Sequence, residues 1–207
     1  MFRLLIIFGL ITTSCWSESV SDLPPLLPRD QEIALAESAG PAGIAKNATI
    51  YVLERGMGYT IALKGTNGFA CFVHRDRADT LEPECFDPEG VQSLMQPEID
   101  RAKHREQGMS PEQADAKIDN GFASGLYRVP RRTAITYMLS TKNKVFNGKS
   151  VIDYPPHIMI SAPYVKNEDI GADFKDPSMP WVLNEGSPRA YIMVVVREPG
   201  GKHQHGK

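Results

Sequence analysis

The stretch Tyr154-Pro155-Pro156-His157 carries the residue types best suited to chemistry in this chain. Two prolines fix φ on the approach to an extended run, and imidazole is the side chain whose ordinary charge change falls nearest neutral pH. In a strand beginning at His157, residues 157, 159 and 161 share one face, while Ile158 and Ile160 take the other. With the isoleucines toward a core, His157 is expected on the opposite face, where Tyr154, Tyr164 or a basic group could join it. Upstream, Arg128, Arg131 and Arg132 flank Pro130 just before another extended run. Three guanidinium groups so close could clamp a carboxylate or a phosphate. Tyr154, His157, Arg128, Arg131 and Arg132 are therefore the candidate ligand-binding residues; no catalytic set is assigned.

Other constellations have plainer readings. Cys71 and His74 lie in one extended run, and positions three apart in a strand project to opposite faces, which denies the thiol its base. Ser124 in Gly121-Phe122-Ala123-Ser124-Gly125 is off-centre for a nucleophile elbow and follows a helical pattern instead of a strand. The acidic stretch Asp76, Asp79, Glu82, Glu84 and Asp87 lacks the alternation of a calcium loop and reads as solvated surface. His104 lies on a solvated helix face, and His203 and His205 sit in a Gly- and Lys-rich tail without preformed geometry. Neither a metal site nor a cofactor is expected. Asn47-Ala48-Thr49 is a glycosylation sequon, relevant only in a eukaryotic secretory route.

The start of the sequence suggests export. Arg3 precedes an apolar run from Leu4 to Ile11, and small polar residues Thr12, Thr13 and Ser14 lead to Cys15, the parts of a cleavable secretory signal. The same place resembles a bacterial lipoprotein signal, with Cys15 as the lipid-modified residue, although Thr12 stands where an aliphatic residue is usual. Any contact with a membrane would then run through that N-terminal lipid. In an oxidising compartment Cys71 and Cys85 are expected to form a disulfide. A formal charge of −2 gives no basic footprint for nucleic acid. Apolar content of 42% and charged content of 23% are those of a globular domain.

The elements that must position these residues follow from periodicity. Residues 1–14 are read as signal, 15–29 as a flexible tether rich in proline, 30–198 as one domain and 199–207 as a disordered tail. Asp30 is expected to cap a short helix ending near Ser38. Alternating β-branched and aromatic residues mark strands at 49–54, 59–64 and 69–74. The intervening Gly56-Met57-Gly58 and Gly65-Thr66-Asn67-Gly68 suggest a three-stranded antiparallel meander. Residues 75–90 read as a polar loop. A helical region follows, with one helix from Pro97 to Gln107 and another opened by Ser110-Pro111-Glu112-Gln113, the signature of a capping box. Strand character returns at 134–139, 157–162 and 189–196. The continuous apolar run of the last argues for a strand near the middle of a sheet. The expected fold is α+β: a mainly antiparallel sheet, the meander plus about three further strands, with a helical pair covering one face.

Two functional classes remain open on this reading. The first is an exported, noncatalytic module of the cell envelope or extracellular space, binding a small molecule or an envelope protein. The alternative is an exported enzyme, such as a hydrolase, using His157 with neighbouring tyrosine and arginine groups. The two differ in whether a second titratable group stands within hydrogen-bond reach of His157.

Overall fold

A computed structural model describes residues 23–196, apart from 76, 174, 177 and 178. The expected signal segment, Cys15, the first part of the expected tether and the tail lie outside the described residues. An eight-stranded sheet runs in the order β2-β1-β3-β4-β5-β8-β10-β9. Its strands are β1 (Thr49–Glu54), β2 (Gly58–Leu63), β3 (Ala70–His74), β4 (Glu82–Phe86), β5 (Ile135–Met138), β8 (His157–Ser161), β9 (Trp181–Leu183) and β10 (Tyr191–Val195). A separate hairpin pairs β6 (Lys144–Phe146) with β7 (Val151–Asp153). The helices are α1 (Arg29–Glu37), α2 (Ala42–Ala45), α3 (Pro88–Ser93), α4 (Met95–Glu106) and α5 (Pro111–Ala123). The fold is α+β, and every strand pair in the large sheet is antiparallel except one.

That exception corrects the expected meander. β1 and β2 form the hairpin anticipated around Gly56–Gly58, but β3 lies on the other side of β1 and runs parallel to it. The linker at 65–68 is not a hairpin turn. Gly65 N–H donates to Thr49 Oγ1 (3.1 Å), and Thr66 N–H donates to the Asn47 carbonyl (2.9 Å), so the chain wraps around the start of β1. A side chain at Gly65 would put its Cβ 2.3 Å from the backbone carbon of Ala48. Glycine here serves a close backbone approach, a use that reads in sequence like a turn signal.

The expected polar loop at 75–90 is also corrected. It contains β4, paired with β3 from Ala70 opposite Phe86 to His74 opposite Glu82. Pro83 and the acids disguised it. Pro83 lacks an N–H for a ladder, but β5 pairs with β4 only at Cys85 and Phe86, clear of the proline. Asp87 caps α3, accepting from Gly90 N–H at 2.7 Å.

Strand alternation gives the sheet two cores near β1, β3 and β4. On one face Leu35, Ala36 and Ala39 pack on Ile50, Val73 and the Cys71–Cys85 disulfide. On the other, Leu94 and Met95 meet Phe72, Phe86, Leu53 and Tyr59. Helices therefore flank the sheet on both faces: α1 contacts β1, β3 and β4, while α3 and α4 lie opposite, with α5 against α4. The helical pair is present, but the one-face layering is not. α1 begins one residue before Asp30, which occupies its first turn instead of capping it. Ahead of α1, Pro24 is buried and the Pro25 carbonyl accepts from Arg75 Nη1 at 3.1 Å. Inside this layer Arg75 pairs with Glu32 at 3.0 Å, each side chain 2% exposed. Glu32 also accepts the Leu53 N–H at 3.0 Å, tying α1 to β1.

α5 starts as anticipated: Ser110 Oγ accepts from Gln113 N–H, and Gln113 Oε1 accepts from Ser110 N–H. Near its end Gly121 lies against the Tyr127 ring, whose hydroxyl donates to Asp100 on α4 at 2.9 Å. Burial and that carboxylate push the Tyr127 phenol up to about 12. β10 sits next to the edge strand β9, not near the middle of the sheet, with only Tyr191 and Met193 fully buried. Its apolar run reflects partial cover on the second face.

Two outcomes test this packing. Replacing both Cys71 and Cys85 by alanine should lower unfolding stability by about 3 kcal/mol, the value for closing a loop of this size. A urea titration beside the parent protein measures it. Gly121→Ala should also destabilise, by about 1–3 kcal/mol from overpacking, because its Cβ would stand 2.3 Å from Tyr127 Cε2. That exceeds the gain of about 1 kcal/mol that alanine brings to a helix interior, so a rise in melting temperature would contradict the packing described.

Candidate functional site

The face carrying Phe72 also carries His74 at the end of β3 and Glu82, Glu84 and Phe86 on β4, because residues opposite one another in an antiparallel pair point the same way. Beyond β5 the same face presents His157 and Met159 of β8, with Met193 opposite Met159 and Trp181 opposite Met193. α4 and α5 on one side and the β6–β7 hairpin on another enclose this surface into a cavity of about 560 Å³. That volume lies within the roughly 300–1,000 Å³ of small-molecule sites.

The cavity has two chemically different ends. At one, His74 Nδ1 is 3.4 Å from Glu84 Oε1, and His74 Nε2 is 3.7 Å from Glu98 Oε2. Arg101, one turn along α4 from Glu98, reaches His74 Nε2 at 3.5 Å and pairs through Nε with Asp115 of α5 at 2.7 Å. Glu84 is buried, with a side chain 7% exposed. At the other end stand Met138, Met159 and Met193 with an aromatic group. Trp181 Nε1 donates to the Tyr154 hydroxyl at 3.3 Å, and the Tyr154 ring meets His157 edge-on at 4.9 Å. Arg77 lies 4.2 Å above the Phe146 ring and links the β3–β4 connection to the β6–β7 hairpin.

His157 is on the inward face, the reverse of the expected arrangement: it and Met159 are buried, while Ile158 and Ile160 are only partly covered. The inner wall here is soft and amphipathic, so the aliphatic residues do not mark the core side. His157 Nδ1 lies 2.8 Å from the Pro155 carbonyl, which accepts its proton. Burial pushes the imidazole below its ordinary value of 6.5, and the bond to Pro155 offsets this only in part. Tyr191, deeper in the wall, is held as a neutral phenol by burial.

The arginines lie elsewhere. Arg128 Nη1 and the Arg131 backbone N–H both donate to Glu89 Oε1, at 2.7 and 2.9 Å, and Arg132 Nε stands 3.5 Å from Glu89 Oε2. The clamp expected for an external anion thus holds an internal carboxylate at the start of α3. The Arg128 hydrogen bond, helped by the Arg131 backbone amide, holds Glu89 below the usual carboxylate range. Tyr154 and His157 are brought together in the cavity; the three arginines do not line it. Sequence reasoning missed His74, Glu82, Glu84 and Glu98 as neighbours. The first three were legible only through the β3–β4 register, and Glu98 only through the docking of α4.

Comparison with family models, curated proteins and solved structures finds no match for this chain. No helix among the described residues is long and apolar enough to cross a membrane.

The His157 environment generates a pH prediction. A folded-state pKa below 6.5 means that the unfolded chain takes up the proton first as pH falls. Its contribution to stability is therefore complete above about pH 6.5 and declines below it toward the folded pKa. His157→Asn, which keeps a donor for Pro155, should flatten the stability curve below about pH 6.5. Denaturant midpoints across that range read the slope; an unchanged slope in the variant would assign the effect to another group.

Proposed function

We propose that this chain is an exported, noncatalytic binding module that holds a small amphipathic molecule in the cavity. The observation that carries the reading is the division of one cavity of about 560 Å³ between a methionine- and aromatic-lined end and an end set with carboxylates, His74 and Arg101. Thioether side chains adapt to irregular apolar shapes, and a few placed polar groups fix the orientation of a ligand. A molecule with an apolar body and a polar or cationic head suits that division.

His157 supports binding over catalysis. Its Nδ1 is engaged by a backbone carbonyl, and its ring lies against Tyr154. No carboxylate is among its hydrogen-bond partners in the described residues, which leaves it without the charged second group a general acid–base pair would use. Export is favoured by the N-terminal sequence pattern, and the Cys71–Cys85 disulfide fits an oxidising compartment.

The test is native mass spectrometry of protein recovered from its own source, with the N-terminus defined by denaturing mass. A mature chain beginning at or near Cys15 with a noncovalent adduct is the expected result. With Trp16 replaced by phenylalanine, Trp181 is the sole tryptophan, so its emission reports on the cavity. Nile red, used as an apolar probe, should quench that emission, and Met159→Lys should abolish the effect. An adduct-free mass together with unperturbed Trp181 emission would overturn the ligand-binding reading. A retained N-terminal segment would overturn export.

A further inference from the structure

We infer that His74, Glu82 and Glu84 form a binding site for a divalent first-row metal ion, with Glu98 as the group that orients the histidine. One ligand atom from each of the three lies within 4.8 Å of the other two. Two adjacent strands hold them: His74 stands opposite Glu82, and Glu84 is two residues further along the same face. Mixed imidazole and carboxylate ligands suit ions such as zinc or manganese.

The spacing is compatible with a metal. His74 Nδ1 and Glu84 Oε1 are 3.4 Å apart, longer than the roughly 2.7–2.9 Å of a charge-assisted hydrogen bond. Two ligands at about 2.1 Å from a tetrahedral ion are separated by about 3.4 Å. The three ligand atoms lie within 4.8 Å of one another, so no pair has to close by more than about 1.4 Å to meet that geometry. Glu82 is only partly buried, which gives its carboxylate room to rotate inward.

Glu98 supplies an independent observation. Its Oε2 is shut off from solvent and has no hydrogen bond among the described residues, yet it stands 3.7 Å from His74 Nε2. A metal on Nδ1 requires the proton on Nε2, and that proton needs an acceptor. Metal-bound histidines commonly donate their other N–H to a carboxylate, which fixes tautomer and ring orientation. The buried, unbonded oxygen of Glu98 is placed for this. Arg101 Nη1, a donor, stands 3.5 Å from the same Nε2, so with the proton on Nε2 that contact gives way to Glu98, while Asp115 still holds the guanidinium through Nε. Three protein ligands leave a further coordination position for water or for a donor atom of the cavity's occupant. Loading of this site does not depend on the amphipathic-ligand reading, so either can fail alone.

The experiment uses the full mature chain, with His203 and His205 changed to alanine to silence the tail, stripped by chelator and titrated with zinc in a calorimeter. One equivalent should bind, and cobalt at the same site should give visible d–d absorption that zinc displaces. Glu98→Ala should weaken binding about ten- to a hundredfold. His74→Ala and Glu82→Gln should each weaken it at least as much, while Glu37→Gln on α1 should not. Glu82 is the safer variant because it is less buried than Glu84, and far-UV circular dichroism identifies variants that remain folded. Absence of both zinc heat and cobalt absorption would overturn the site. So would a folded His74→Ala or Glu82→Gln protein that binds as the parent does.

Discussion

The pairing of β3 with β4 is the constraint from which the rest of the molecule is arranged. Cys71 stands opposite Cys85 with their α-carbons 4.0 Å apart, and the disulfide joins the strands at that rung. Because side chains alternate along both strands, the rungs on either side of the bridge point the other way. Phe72 with Glu84, and His74 with Glu82, are thereby directed to the cavity face. A slip of one residue would exchange the two faces, sending the carboxylates beneath α1 and the cysteines into the cavity. One covalent bond on the α1 side thus fixes the register of the polar groups on the other.

The layers around this pair divide the work. On the α1 side small residues allow close approach: Ala36 and Ala39 are fully buried, and a Cβ at Gly40 would come within 3.1 Å of Cys85 Sγ. The Glu32–Arg75 pair in the same layer is enclosed, and burial makes either partner costly to leave alone. Across the sheet the packing is larger and softer, built on Phe72, Phe86, Met95 and the methionines of β5, β8 and β10. Tyr59 crosses this second layer, donating its hydroxyl to the Val73 carbonyl at 2.5 Å while its ring packs on Phe72. The rigid layer holds the sheet in place, and the adaptable one borders the cavity.

Charge is distributed with the same economy. Glu89 gathers Arg128, Arg132 and the Arg131 backbone amide at the start of α3, removing the most conspicuous basic cluster of the sequence from the cavity. Among the groups that face the cavity, Arg101 is tied to Asp115, and His74 stands between Glu84 and Glu98. That set spans β3, β4, α4 and α5 and so has no compact sequence motif. Its members are separated by up to forty-one positions, from His74 to Asp115.

Local pattern alone determined several features. The α+β class, the β1–β2 hairpin, the cap of α5 and the strands at β5, β8 and β10 follow from short-range periodicity and turn chemistry, which are properties of neighbouring residues. The pairing of Cys71 with Cys85 followed from cysteine count and the expectation of export. Tertiary structure decided the rest. Gly65 permits the chain to pass against Ala48 and places β3 on the far side of β1, a choice between a turn and a close backbone approach that glycine does not announce. Pro83 and its acidic neighbours concealed β4, because the cost of a proline in a strand depends on which neighbour needs its N–H. The direction of His157 depended on which face the sheet covers, and alternation gives two faces without saying which is inside. Bringing His74, Glu82, Glu84 and Glu98 together required strand register and helix docking, long-range constraints that no local sequence window contains.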